Sequence, residues 1–140
     1  MLILNKLFEI IISLQILIIS TMIPVFITIP FTKNTLQIYE IPITWQIPSI
    51  ILMVLIFNAN VVLTAFTIYL LLGLLILPVF QQGGSIGYLL TPSFGYLLGI
   101  YPLIKIIDKL NINKTNINIY YLVKSGFLGI SIMHIIGIIY

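Results

Sequence analysis

Residues 46–80 read QIPSIILMVLIFNANVVLTAFTIYLLLGLLILPVF and contain no charged side chain. They belong to a longer uncharged stretch, residues 41–104, which is 64 residues long and lies between Glu40 and Lys105. One membrane crossing needs about 20 residues, because an α-helix rises about 1.5 Å per residue and the bilayer core is about 30 Å thick. The stretch therefore predicts several membrane-spanning helices in succession.

The composition of the whole chain agrees with that prediction. The 140 residues are 61% hydrophobic and 6% charged, and the mean hydropathy is +1.24. Soluble domains contain about 25% charged residues. The composition therefore excludes a soluble globule and predicts an integral membrane protein in the lipid bilayer, with residues 1–140 forming a single membrane domain.

Several chemical functions are excluded by the residues that the sequence lacks. The chain has no Cys, no Arg and one His, which excludes disulfides, thiolate catalysis and metal sites built from several imidazoles. Its three acidic residues, Glu9, Glu40 and Asp108, are far apart in sequence, and no phosphate-binding loop is present. We therefore predict that the chain is not an enzyme and that it requires no cofactor. It is also predicted not to bind nucleic acid, because its net charge of +3 comes from Lys residues scattered between apolar runs.

Turn-forming residues divide the apolar sequence into five segments. Asn58 and Asn60 interrupt the long uncharged stretch, and Asn favours turns. Residues 33–45 are predicted to form a loop, and residues 105–118 form a polar linker. These breaks predict an all-α fold, a polytopic membrane helix bundle with about five transmembrane helices. The predicted helices are approximately 8–30, 46–57, 61–80, 95–107 and 119–140.

The lysines predict how the helices are oriented. Four of the six Lys residues lie within residues 105–124, and cytoplasmic loops are enriched in Lys. That region is therefore predicted to lie on the inner side. Five crossings then place the N-terminus, with Lys6, on the inner side and residues 81–94 on the outer side.

One segment has a composition suited to a ligand. Residues 71–99 read LLGLLILPVFQQGGSIGYLLTPSFGYLLG, in which glycines permit close backbone approach and Gln, Ser and Tyr supply neutral hydrogen-bonding groups. A small, mostly neutral ligand would suit this lining, although composition alone favours an ordinary interfacial loop. Gln46 is predicted to face the same outer cavity, the alternative being a headgroup contact beside Trp45. The candidate substrate-binding residues are Gln46, Gln81, Gln82, Gly83, Gly84, Tyr88, Gly95 and Tyr96.

The same segment resembles the signature of the BioY family, the biotin-binding S components of energy-coupling-factor transporters. The matching parts are LPVF at 77–80, a Gly-rich loop at 83–87, and PSFGYLLG at 92–99, which fits P-[ST]-x-G-Y-L-x-G. The sequence ITWQIP at 43–48 resembles the ITLQ-P entry to the second helix of that family. The resemblance, which covers roughly residues 10–140 and outweighs composition alone, implies that the chain takes up biotin.

The resemblance also implies partners and a location. Family members receive energy from an ATPase pair and a transmembrane coupling subunit, and both are expected here. The motifs PVFQQGG and PSFGYLLG are most similar to those of cyanobacterial members of the family, and therefore of plastid members. Ile occupies 33 positions and Lys occurs without Arg, a bias typical of A+T-rich genomes. These features favour a plastid inner envelope or a bacterial plasma membrane.

Three departures from the family leave alternatives open. The family's sixth helix carries a P-F-x-x-x-D-x-x-K motif that is not found here, so we expect a truncated six-helix S-component fold, a degenerate transporter remnant, or a chain completed by another polypeptide. The family's arginine cannot hold the biotin carboxylate, because this chain has no Arg. Ser13 and Ser20 in helix 1 do not match the expected small-residue spacing. A small structural or assembly subunit of a membrane complex is the alternative function.

Two features of the last predicted helix have a structural and a functional interpretation. Ser125, Gly126 and Gly129 predict either close helix packing or nothing beyond the ordinary Gly content of membrane helices. His134 could relay a proton, but no acidic residue lies near it in sequence. We therefore favour a hydrogen-bonded structural role for His134.

Overall fold

The computed structural model describes residues 2–31, 35–81, 83–111 and 118–140, and the side chains of these residues apart from 2, 27–31 and 35–43. In this part of the chain there are five α-helices, one β-hairpin and one 3-10 helix. The α-helices are α1 (Leu2–Met22), α2 (Gln46–Ile56), α3 (Ala59–Leu75), α4 (Pro92–Leu110) and α5 (Ile119–Ile139). The hairpin strands are β1 (Pro24–Phe31) and β2 (Thr35–Thr44), and the 3-10 helix is Ile86–Leu90.

Helix starts are specified by residues that satisfy free backbone N–H groups. The Asn58 side chain accepts a hydrogen bond from the backbone N–H of Asn60 at 3.1 Å, which caps α3. Asn118 caps α5 in the same way through the N–H of Tyr120, at 2.9 Å. Pro92 begins α4, at a position where no N–H is needed. The break predicted at residues 58–60 is therefore confirmed, with Asn58 as a helix cap.

The helices form a bundle in which α4 lies between two groups. α1 lies along α3 and also contacts α2, and both α2 and α3 contact α4. α5 packs closely against α4 along its length. The Tyr140 hydroxyl donates to the carbonyl of Leu89, near the start of α4, and Asn111 at the end of α4 contacts Ser125 in α5. α4 and α5 therefore run in opposite directions, as predicted for successive crossings.

The interior and the outer surface of the bundle are both apolar. Leu17, Met53, Phe66 and Ile104, from α1 to α4 in turn, are fully buried. Outward-facing side chains are also large and apolar, including Phe8, Leu71, Phe127 and Ile138. Two of the described helices, over Ile3–Met22 and Ile119–Ile139, are long and apolar enough to cross a membrane by themselves. An outer surface of this kind suits contact with lipid.

The hairpin corrects the prediction for the first helix and the loop after it. The predicted helix 8–30 was wrong at both ends, because α1 begins at Leu2 and ends at Met22. Residues Pro24–Phe31 instead pair in an antiparallel manner with Thr35–Thr44. Most of the predicted loop 33–45 is therefore a strand.

The reason for this error is that a charge-free run was interpreted by its length alone. Pro24 lacks the backbone N–H that a continuing helix requires. The next five residues, VFITI at 25–29, are β-branched or aromatic and favour a strand. Smaller corrections apply to α3, which is Ala59–Leu75 instead of 61–80, and to α4, which is Pro92–Leu110 instead of 95–107. The first six residues of the predicted linker 105–118 are therefore helical. The predicted bounds of α2 and α5 are confirmed to within one residue.

Small residues bring α4 and α5 into close contact. A Cβ atom added at Gly99 would lie 2.8 Å from the Cα atom of Met133, so the two backbones touch there. Gly129 packs against Leu103, and Ser125 is fully buried on the same face of α5. The packing interpretation of the small-residue face is confirmed for contacts within this chain. Gly126 is the exception, because an added Cβ would meet nothing within 4 Å.

The small residues of α1 also point into the bundle. Ser13 and Ser20 are buried, together with Leu17 and Thr21, on the side of the helix that packs within the chain. Ser20 and Thr21 each donate a hydrogen bond to the carbonyl of Leu17. The outer side of α1 carries large apolar residues, including Ile11 and Ile19.

Candidate ligand-binding site

A cavity of about 530 Å³ is present at one end of the bundle. Residues from all five helices line it, and the lining positions lie near the ends of α1, α3 and α5 and near the starts of α2 and α4. This is the end that carries the hairpin and the 3-10 helix. Pockets for small ligands usually have volumes of about 300–1,000 Å³. The cavity therefore has the size of a small-molecule site.

Hydrogen bonds connect the helices that form one wall of the cavity. The Tyr69 hydroxyl lies 3.2 Å from Thr21 Oγ1 and 3.3 Å from the carbonyl oxygen of Val79. Because Thr21 donates its own proton to the carbonyl of Leu17 at 2.7 Å, the Tyr69 hydroxyl is the donor shared between the other two oxygens. The wall formed by α1 and α3 is therefore polar and held in place.

Gln46 contributes an unpaired donor to the same wall. It is the first residue of α2, it lines the cavity and its side chain is 8% exposed. Its Nε2 atom has no hydrogen-bond partner among the described residues. A buried polar group without a partner is costly, and its amide protons remain available to an acceptor on a ligand. The preceding residue, Trp45, donates its backbone N–H to the carbonyl of Ile23 at 3.3 Å, which ties the start of α2 to the end of α1.

An aromatic row runs from the core to the cavity. The ring centroids of Tyr69 and Phe80 are 5.4 Å apart, and those of Phe80 and Tyr88 are 4.6 Å apart. All three rings line the cavity. Burial raises the pKa of Tyr88 above its ordinary value, and a hydrogen bond with Ser93 partly opposes this. The Tyr88 hydroxyl is therefore neutral at physiological pH and can act as a donor.

A tight turn positions the segment between α3 and the 3-10 helix. Phe80 and Gly83 exchange backbone hydrogen bonds of 3.1 and 3.0 Å. Gly83 has φ of +100°, a conformation that favours glycine. The turn leaves Gln81 exposed and lining the cavity. Gln82, also predicted as a site residue, lies outside the described residues.

The other predicted glycines shape the backbone around the cavity. An added Cβ at Gly84 would collide with the carbonyl of Gly73 and would lie 2.7 Å from that of Leu77, so the segment after the turn rests directly on the end of α3. An added Cβ at Gly95 would collide with Tyr140 at the end of α5. Both glycines therefore permit close packing next to the site.

The structure thus brings together four of the eight predicted site residues as cavity lining: Gln46, Gln81, Tyr88 and Tyr96. Sequence analysis missed Thr21, Thr44 and Tyr69, and it gave His134 a structural role only. Tyr69 and Thr21 lie inside apolar helices, where only the packing shows which side faces a cavity. Thr21 and Tyr69 are polar residues close to the ends of their helices on the predicted outer side, and this position could have suggested them as site residues.

Comparisons with known proteins agree with this architecture. Apolar helices with apolar outer faces define the class, a polytopic membrane protein. A family model described as the BioY family matches residues 4–140. The chain therefore belongs to the BioY family, and it is an integral membrane protein. The resemblance seen in the sequence is confirmed.

Two relatives are similar to this chain. A protein of Lysinibacillus sphaericus described as "Probable biotin transporter BioY" is 59% identical over 32 residues, which cover 23% of this chain and 16% of that protein. The crystal structure at 2.1 Å of the S-component for biotin from an ECF-type ABC transporter matches with a TM-score of 0.71 at 22% identity. That match covers 97% of this chain and 70% of the solved chain, and it shows that the two share a fold.

Proposed function

We propose that this chain is the substrate-binding membrane component of an energy-coupling-factor type transporter and that its ligand is biotin. The observation that carries the proposal is the cavity of about 530 Å³ with the buried, unpaired amide nitrogen of Gln46 in its wall. Membership in the BioY family and the names of both relatives support it. In this proposal residues 1–140 act as one membrane domain, a transporter component and not an enzyme. A transmembrane coupling subunit and ATPase subunits supply the energy.

The chemistry of the cavity suits the two uncharged parts of biotin. Its ureido group is neutral and has both donors and acceptors, which Gln46, Gln81 and the Tyr69 and Tyr88 hydroxyls can match. Its thioether ring is apolar and fits against Phe80 and against the aliphatic side chains that also line the site. Fixed polar groups on an apolar lining are typical of small-ligand sites.

The proposed membrane is a plastid inner envelope or a bacterial plasma membrane, with the cavity opening to the outer side. Single-cysteine labelling can test the orientation, since the chain has no native Cys. Ser85 and Lys109 are both exposed. Ser85 precedes the start of α4, and Lys109 lies in its last turn, so the two residues are at opposite ends of this helix. We expect an impermeant thiol reagent added outside to label Ser85→Cys but not Lys109→Cys. Labelling of Ser85→Cys only after the inner side is opened would contradict the orientation.

Calorimetric titration of biotin into the purified chain tests the proposed ligand. Binding of biotin at a ratio of one per chain is the expected result, with the coupling and ATPase subunits required only for sustained uptake. If the chain bound no biotin and was recovered only as part of a large membrane complex, the structural-subunit alternative would replace this proposal.

Replacing Gln46 tests the proposed site more specifically, because the change should weaken ligand binding much more than it lowers stability. Gln46→Leu is expected to weaken biotin binding about 10-fold, because a hydrogen bond to the ligand is lost. The same change should lower the melting temperature of the empty protein only slightly, because the Gln46 Nε2 atom meets no hydrogen-bond criterion among the described residues and the side chain interacts with the Tyr69 hydroxyl. Titration and thermal unfolding in detergent measure the two quantities.

The matched control for this variant is Gln15→Leu. Gln15 is exposed on α1 and is not among the cavity-lining residues. Its replacement should leave biotin affinity unchanged. Equal affinities for Gln46→Leu and the wild-type chain would remove Gln46 from the site.

A further inference from the structure

His134 lines the same cavity as Gln46 but belongs to a different part of the bundle. It belongs to α5, which packs mainly against α4, whereas Thr21, Gln46 and Tyr69 belong to α1, α2 and α3. Leu97 and Ile100 of α4 also line the cavity and supply an apolar surface. The site therefore has polar groups on two walls contributed by different helices, together with an apolar lining.

The contacts of His134 define which ring nitrogen is available. Nδ1 lies 2.9 Å from the backbone carbonyl oxygen of Ile130. A carbonyl oxygen can only accept, so Nδ1 carries a proton in this arrangement. The ring also packs edge to face against Tyr96, with centroids 5.6 Å apart. Nδ1 is thus occupied by the helix backbone, and Nε2 is the nitrogen left for a ligand. A neutral ring with its proton on Nδ1 offers Nε2 only as an acceptor, so donation from Nε2 to a carboxylate requires the imidazolium.

We propose that His134 binds the carboxylate of the ligand through Nε2–H and so selects the acid over its neutral derivatives. This inference rests on the proposed function. Among the described residues that line the cavity, His134 is the side chain that can carry a positive charge. Biotin has a neutral head and an anionic tail, which match the amide of Gln46 on one wall and the imidazole on the other. Sequence analysis favoured a structural His, and the bond to Ile130 serves both roles because it orients the ring.

The interaction predicts a pH dependence with a definite sign. Donation from Nε2 needs the doubly protonated ring, so binding of the carboxylate is coupled to the uptake of a proton. Tyr96 of α4 faces the imidazole, and Tyr69 and Tyr88 line the rest of the cavity. An imidazolium attracts the carboxylate, so the affinity for biotin increases as the pH falls. Affinity for biotin amide, which has no anionic tail, stays constant.

Titration calorimetry with biotin and biotin amide at pH 6, 7 and 8 tests the proposal. His134→Gln keeps hydrogen-bonding groups but cannot become a cation. Since His134 is partly open to solvent, we expect this variant to bind biotin about 10-fold more weakly at pH 6. It should bind biotin amide as the wild-type chain does, and it should lose the pH dependence.

The possible failures are distinguishable from one another. Equal losses for biotin and its amide would assign His134 a packing role and overturn the proposal, as would an unchanged preference for the acid. Binding of neither ligand to the wild-type chain would instead contradict the proposed function itself. His134→Lys provides a second variant, since its permanent cation should restore the preference for the acid without the pH dependence.

Discussion

Gly84→Ala is expected to weaken biotin binding by at least about 100-fold, which is equivalent to losing two or three hydrogen bonds to the ligand. The added methyl group would run into the carbonyl of Gly73 and lie 2.7 Å from that of Leu77. These are backbone atoms of the end of α3 and the residues after it, so they cannot rotate away as a side chain would. The segment that carries Tyr88 must therefore move away from the end of α3, which displaces a residue that lines the cavity.

The bundle itself should tolerate this substitution. Gly84 lies outside the α-helices, in the connection between α3 and the 3-10 helix. We therefore expect normal membrane insertion and abundance, measured by fractionation and immunodetection, together with the loss of binding measured by titration. Gly87→Ala is the matched control, because an added Cβ there would meet only Ser85 Oγ at 3.5 Å, an ordinary contact. Wild-type affinity in the Gly84→Ala variant would show that the segment does not form a wall of the site.

Gly99→Val should lower stability more than any other change considered for the helix interfaces. Its Cβ would lie 2.8 Å from both the Cα and the carbonyl oxygen of Met133, so α5 must separate from α4. Overpacking of this kind costs about 1–3 kcal/mol. For a chain of this length each kcal/mol lowers the melting temperature by about 2–4 °C, or slightly more. We expect a decrease of about 5–10 °C in detergent on this basis.

The matched substitution is Gly126→Val, on the facing helix. An added Cβ at Gly126 meets nothing within 4 Å. The melting temperature of this variant should change by less than half as much as that of Gly99→Val. Equal decreases in melting temperature would mean that valine destabilises any helix to this extent. The close contact between α4 and α5 would then not explain the effect of Gly99→Val.

The sequence was sufficient to predict the number of helices, because helix number depends on local signals. The caps at Asn58 and Asn118 and the proline at the start of α4 act on the nearest few residues. The hairpin was missed because an uncharged run of apolar residues is compatible with a membrane helix and with a strand pair. Pro24 and the β-branched residues after it were the local signals that favoured the strand.

The site was predictable only where its residues lie outside regular apolar helices. Tyr88 and Gln81 occur in the Gly-rich segment, which has a distinctive composition, and Gln46 is a polar residue at a helix start. Tyr69 could not be assigned, since α3 is apolar on every side and its periodicity indicates no inward face. His134 stands out in the sequence as the one histidine of the chain. Whether it lines the cavity depends on how α5 packs in the bundle, which the sequence does not specify.

The position of α4 between two groups of helices has a mechanical consequence. α5 is joined to the rest of the bundle mainly through α4, whereas the cavity wall includes α1, α2 and α3 as well as α5. A ligand that contacts Gln46 and His134 at once, as proposed, adds a second connection between α5 and the other helices, which are otherwise joined to α5 mainly through α4. We therefore expect α5 to be held more firmly against the other helices when the proposed site is filled than when it is empty.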